Sequence, residues 1–193
     1  LNGSHSAIAA IGQITGLATV ADAWAEKTVR DFIDAYWREV GRTLAPAVNG
    51  VEFAAGLRER FANPSLKHKT MQIASDASQK VPLRILAPLR ELLEKNAESR
   101  AIILAVALWI RSCAGRNEKG EPVTILDPAF MEWDAPDQLK MAPDEVVDRF
   151  LAFKRVFADD LPDNEAFVSS LNAAYGDIRE LGALAAIGKF LKS

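Results

Sequence analysis

The chain opens Leu1-Asn2-Gly3-Ser4-His5-Ser6, with a carboxamide and an imidazole three positions apart. On a helix that spacing puts both side chains on one face. Asn2 can donate to a carbonyl or hydroxyl oxygen, and a neutral His5 can donate through one ring nitrogen and accept through the other. The pair suits an oxygen-rich ligand such as a sugar, or a ketone oxygen on which negative charge grows. Without other context the same residues describe a helix start, with Asn2 or Ser4 as its cap and His5 at the boundary.

A second group lies further along. Lys67, His68, Lys69, Lys80 and Arg84 put four fixed cations and one titratable ring within eighteen residues. A solvated basic face has this composition, and so does a surface that holds a carboxylate. For the second use Arg offers paired N–H donors and Lys a point charge. Lys80 and Arg84 are one helical turn apart only if the helix survives Pro82 between them. A neutral polyol needs no such cluster, which favours a sugar acid.

The elements that must position these groups read as helices. Ala7 to Val20 is predicted as a buried helix in which Gly12 and Gly16 let another backbone approach. Thr19 caps a following helix that places Val29, Phe32, Ile33, Tyr36, Trp37 and Val40 at helical spacing. Phe53, Leu57 and Phe61 predict a short amphipathic helix closed by Asn63-Pro64, and Leu66 to Lys80 predicts another. Pro82 and Pro88 each suit the first turn of a helix. Ser99 to Ala114 is a hydrophobic helix. The stretch 115–143, rich in Gly and Pro, is predicted to be ordered loop, with a short strand or hairpin at Pro122 to Leu126. One helix is expected from Asp144 through Phe157, then Glu165 to Leu171 and Ile178 to Leu191. Trp24, Tyr36, Trp37 and Trp109 fall on apolar faces and are expected in the core, as is Cys113 as an inert thiol.

The motifs are similar to those of the long-chain mannitol and polyol dehydrogenase family. Asn2 and His5 fit the end of its Lys-x4-Asn-x2-His signature, whose lysine would lie four residues before Leu1. Thr19-Val20-Ala21-Asp22-Ala23 follows at the family's distance. Arg60-Phe61-Ala62-Asn63-Pro64 and Asp76-Ala77-Ser78-Gln79-Lys80-Val81-Pro82 resemble two further stretches, with Ala77 where Gly is usual. Ser78-Gln79-Lys80 followed by Arg84 most resembles the fructuronate reductase (D-mannonate oxidoreductase) branch.

The resemblance implies an all-α, multi-helical substrate domain spanning 1–193, like the C-terminal domain of 6-phosphogluconate dehydrogenase. It also implies an N-terminal Rossmann domain outside this chain that binds NAD. Asn2 and His5 are then the catalytic residues, and Lys80, Arg84 and His68 hold the substrate. The reaction would be hydride transfer between D-fructuronate and D-mannonate. A mannitol 2-dehydrogenase, a tagaturonate reductase and a non-catalytic helical interaction module are the alternatives. The expected partners are a small sugar acid and the Rossmann domain.

Composition narrows the rest. The 193 residues carry a net charge of −3, which speaks against a nucleic-acid surface. The apolar runs Ala7 to Ile14 and Ala101 to Ile110 fall short of the roughly 20 residues of a membrane span. One cysteine and two histidines suit neither a disulfide framework nor a zinc site, so no metal and a cytoplasmic location are expected.

Overall fold

The computed structural model describes residues 2–45, 47–66, 68–130 and 138–193; of Leu66 and Pro128 only the backbone is described. Among them there is no strand. The elements are α1 (Gly3–Thr15), α2 (Val20–Ala25), α3 (Lys27–Gly41), α4 (Gly50–Ala62), α5 (Thr70–Ala74), α6 (Ala77–Val81), a π-helical turn (Pro82–Leu86), α7 (Ala87–Glu94) and α8 (Arg100–Ser112). After the loop come α9 (Pro143–Leu151), α10 (Lys154–Phe157), α11 (Glu165–Leu181) and α12 (Ala183–Phe190). The expected all-α class is what is found.

Two helices form the centre. Ala7 to Gly12 of α1 and Ala101 to Arg111 of α8 are buried without interruption. A helix apolar on every side must be wrapped by others. Helix α1 packs on α8 and α5, and α11 covers another side of α8. The buried side chains form a single cluster, which runs from Ala7 to Ile187. The charge of α8's first turn is met from a distance. The Glu39 carboxylate on α3 accepts from the main-chain N–H groups of Ala101 and Ile102, both at 2.9 Å. Those N–H groups are left unpaired by the helix itself.

Local rules explain many of the boundaries. Thr19 forms the expected cap: its Oγ1 accepts from Asp22 N–H while Asp22 accepts from Thr19 N–H at 3.0 Å. Gly12 lies so close to α5 that a Cβ there would come within 2.4 Å of the Thr70 methyl. Gly16 has a different job, ending α1 in the left-handed region at φ 79.

Several predicted boundaries differ. The long helix after Thr19 breaks at Glu26, whose extended backbone separates α2 from α3. Leu66 to Lys80 is not continuous either. Thr70 Oγ1 donates to Leu17 O and Ala18 O, Thr70 N–H pairs with Ala18 O at 3.0 Å, and the chain then kinks at Asp76. Asp76 takes a left-handed backbone (φ 53) and Ala77 begins α6. The tight turn therefore exists, one residue before the unusual alanine, which is itself helical as its Cβ demands. Pro82 does not end the helix, because the turn widens to i→i+5 pairing and passes through it. The expected hairpin at Pro122 to Leu126 is reduced to an isolated bridge between Arg116 and Pro122. The helix from Asp144 breaks at Ala152 and Phe153, and Glu165 to Leu181 is one helix rather than an end and a beginning.

Candidate functional site

Asn2 and His5 lie on the first turn of α1. Asn2 already has a helical backbone (φ −63, ψ −18), and its carboxamide makes no capping hydrogen bond. It is exposed, so the amide is available to a ligand. His5 is half-buried, with its ring edge-on to Phe61 at 4.7 Å between centroids. Phe61 in turn packs against Trp24 (5.2 Å) and lies parallel to Trp37 (6.2 Å). Trp24 and Trp37, both expected in the core, thus form with Phe61 the wall that fixes His5, all at most 6% exposed.

The first turn of α1 can come this near the π-helical turn only because residue 3 is glycine. A Cβ on Gly3 would sit 2.0 Å from Tyr36 Oη and 2.5 Å from Arg84 O. Tyr36 Oη donates to that same Arg84 carbonyl at 3.2 Å. Tyr36, expected as core, is therefore also the peg that ties Arg84's main chain to α1.

Burial lowers the His5 pKa from 6.5 to about 4, and the positive charges of Arg60, Arg84 and His68 push it the same way. His5 is a neutral imidazole at pH 7, able to donate and accept at once. Of the sequence-predicted residues, Arg84 brings its main chain against Gly3, and its charge and that of His68 act on His5. Arg60 joins them from the end of α4. It was visible in the Arg-Phe-x-Asn-Pro stretch, but nothing in the spacing from 60 to 84 signalled that both arginine charges act on one histidine.

Lys80 is half-buried and engaged. Its Nζ donates to Ser75 O at 2.5 Å and Ile73 O at 3.2 Å, which ties α6 to the end of α5 across the Asp76 kink. One of its three N–H protons remains uncommitted by these bonds. His68 is exposed, and its main-chain carbonyl accepts from Val20 N–H at 2.9 Å. Lys67 lies outside the described residues.

Asp127, in the stretch predicted as loop, anchors the segment that carries Lys80 and Arg84. Its carboxylate is 2% exposed and accepts from Ser78 N–H and Ser78 Oγ, each at 2.6 Å. Asp76 N–H pairs with Leu126 O at 3.1 Å, so the 122–127 stretch and α6 are stitched together. An Asp-Pro at a loop end was the only sequence signal for this. Cys113 is buried and its thiol is pushed well above the usual range by burial, in keeping with an inert role. Among the described residues no group of His, Cys, Asp and Glu could hold a metal ion, and no helix is long and apolar enough to cross a membrane.

Fold and site together define an all-helical unit that presents a carboxamide, a neutral imidazole and several cations at one end of its central helix. The chain belongs to the mannitol dehydrogenase C-terminal domain family, whose model matches residues 1–179. It is 37% identical over 186 residues to the D-mannonate oxidoreductase of Escherichia coli K12, covering 95% of this chain and 38% of that protein. It is 29% identical to a mannitol 2-dehydrogenase of Aspergillus fumigatus, covering 99% of this chain and 38% of the relative. The solved Pseudomonas fluorescens mannitol 2-dehydrogenase, a ternary complex with NAD and D-mannitol, superposes with a TM-score of 0.91 at 26% identity. That match covers the whole of this chain and 39% of the solved one. The chain thus spans about two fifths of the length of the relatives it matches.

Proposed function

We propose that this chain is the substrate-binding part of an NAD-dependent oxidoreductase that interconverts D-fructuronate and D-mannonate. The carrying observation is that the Arg84 main chain and Phe61, the residue after Arg60, both close on the first turn of α1 beside Asn2 and His5, where the positive charges of Arg60, Arg84 and His68 act on His5 in the same direction. An acidic ketose satisfies both the charge and the hydrogen-bonding groups, whereas a polyol leaves the cations unanswered. The similarity to the E. coli D-mannonate oxidoreductase supports the same reading.

Among the described residues there is no strand–turn–helix unit of the kind that holds a dinucleotide pyrophosphate, and the reading assigns these residues to the substrate side of the reaction. When bound elsewhere in the protein, the nicotinamide supplies or accepts the hydride. On this chain Asn2 donates to the carbonyl oxygen as charge builds there. Neutral His5 orients the neighbouring hydroxyls. Arg84, His68 and the uncommitted proton of Lys80 draw the carboxylate to the far end of the sugar.

The test uses the protein of which this chain is part. Its NADH-dependent reduction of fructuronate, tagaturonate and fructose is compared, with the largest kcat/KM expected on fructuronate. A preference for fructose would overturn the acid reading. It would favour a mannitol 2-dehydrogenase, the second reading, which the likeness to the mannitol complex supports.

A further inference from the structure

Two arginines from distant parts of the chain flank the first turn of α1. Arg60 lies in the last turn of α4, immediately before Phe61, whose ring meets His5 and packs against Trp24 and Trp37. Phe61 is only 2% exposed, so the backbone that carries Arg60 has little freedom. Arg84 lies in the π-helical turn, its carbonyl held by Tyr36 Oη and pressed against Gly3. Each guanidinium therefore grows from a main chain held against the first turn of α1 or the residue next to it.

Neither guanidinium has a partner among the described residues. The contrast with other arginines is informative. Arg58, two residues before Arg60, pairs with Asp34 at 2.6 Å, and Arg90 pairs with Asp160 at 2.5 Å. Arg30, Arg111 and Arg179 donate to main-chain carbonyls. Arg60 and Arg84 are left unpaired next to a histidine and a second ring at His68. Like charges gathered without a counter-ion repel one another, and an anion of fitting shape relieves the repulsion. Lys80 is a weaker candidate for that anion, because two main-chain carbonyls already occupy its ammonium.

We propose that Arg60 is a specificity-determining residue that, with Arg84, holds the carboxylate of a sugar acid whose ketone and hydroxyls lie at Asn2 and His5. This rests on the reading of the site as that of a hexuronate oxidoreductase. A carboxylate shared by two guanidiniums accepts paired N–H donors, so the interaction discriminates by shape as well as by charge. Arg60 is exposed, and its replacement leaves the packing around Phe61 in place.

The experiment compares the whole protein with its R60Q, R60K and R84Q variants on two substrates. One is fructuronate; the other is fructose, which has a hydroxymethyl where fructuronate has its carboxylate. R60Q and R84Q are each expected to lower kcat/KM on fructuronate roughly 10- to 100-fold, mainly through KM, with a much smaller loss on fructose. R60K is expected to recover part of that loss. An R60Q protein with unchanged KM for fructuronate, or with equal losses on both substrates, overturns the assignment of Arg60 while the oxidoreductase reading stands. A wild-type protein that reduces fructose and ignores fructuronate overturns the acid reading itself, and this inference with it.

Discussion

At the scale of the residue, two effects on His5 add: burial strips water from the charged ring, and Arg60, Arg84 and His68 repel a proton. The folded ring titrates at about 4 instead of 6.5, so between those values the unfolded chain binds the extra proton. The stability that neutral His5 contributes is therefore complete above pH 6.5 and is lost as the pH falls towards 4. An NMR titration of the His5 ring is expected to show a midpoint near 4, and R60Q or R84Q to move it upward. A midpoint unaffected by either variant would remove the arginines from the site. Gly3 offers a second prediction. A Cβ there meets the Tyr36 hydroxyl and a main-chain oxygen, and a carbonyl cannot swing aside. G3A should cost about 1–3 kcal/mol in a denaturant melt, the usual range for overpacking. It should also push Arg84 away from His5.

Among elements, the segment from Ala77 to Glu94 matters most, because it carries Lys80 and Arg84 and is anchored at a single buried carboxylate. D127A leaves the Ser78 N–H and hydroxyl without an acceptor in a dry place. That should cost roughly 1–3 kcal/mol by thermal melting and raise KM for the substrate. Helix α8 has a comparable dependence on Glu39, and E39A is expected to lose about 1–2 kcal/mol by removing a cap on two N–H groups. Burial raises the Glu39 pKa, opposed by the two N–H bonds. Since the folded state holds that proton more tightly, this group's contribution weakens as pH rises through its folded pKa.

What the sequence made legible at this scale follows the same physics. Thr19 and Asp22 cap their helix through contacts three residues apart, and Asn63-Pro64 stops α4 by removing a donor and restricting the residue before it. Both are local and were readable. The kink at Asp76, the widened turn at Pro82 and the break at Phe153 are set by partners far along the chain, such as Leu126 and Asp127. The pattern of residues 66–80 alone cannot report these. Glu165 to Leu171 and Ile178 to Leu191 read as two helices, yet α11, packed on α8, runs through the gap between them. The motifs that hold Asn2 and His5, and Lys80, were visible because each is short. Arg60 was not singled out, since its meaning depends on a neighbour twenty-four positions on.

As a whole molecule, the chain has one continuous core that includes both central helices, so it should fold without help. We expect the isolated chain to melt in a single cooperative transition and to reduce no fructuronate when mixed with NADH. Turnover by the chain alone, followed as NADH absorbance, would show that a complete active site lies within these residues.

Among the described residues, the two aromatic groups that contain tryptophan are separate in their partners. Trp24 and Trp37 touch Phe61, which touches His5, whereas Trp109 sits among Phe130, Phe150 and Phe157. If a sugar acid binds at His5 as proposed, light emitted by the first pair should change on binding while light from Trp109 should not. The sequence has a fourth tryptophan, Trp133. In a W109F/W133F protein the expected outcome is an intrinsic-fluorescence change on adding fructuronate, with no dye attached, and a flat titration would count against the site.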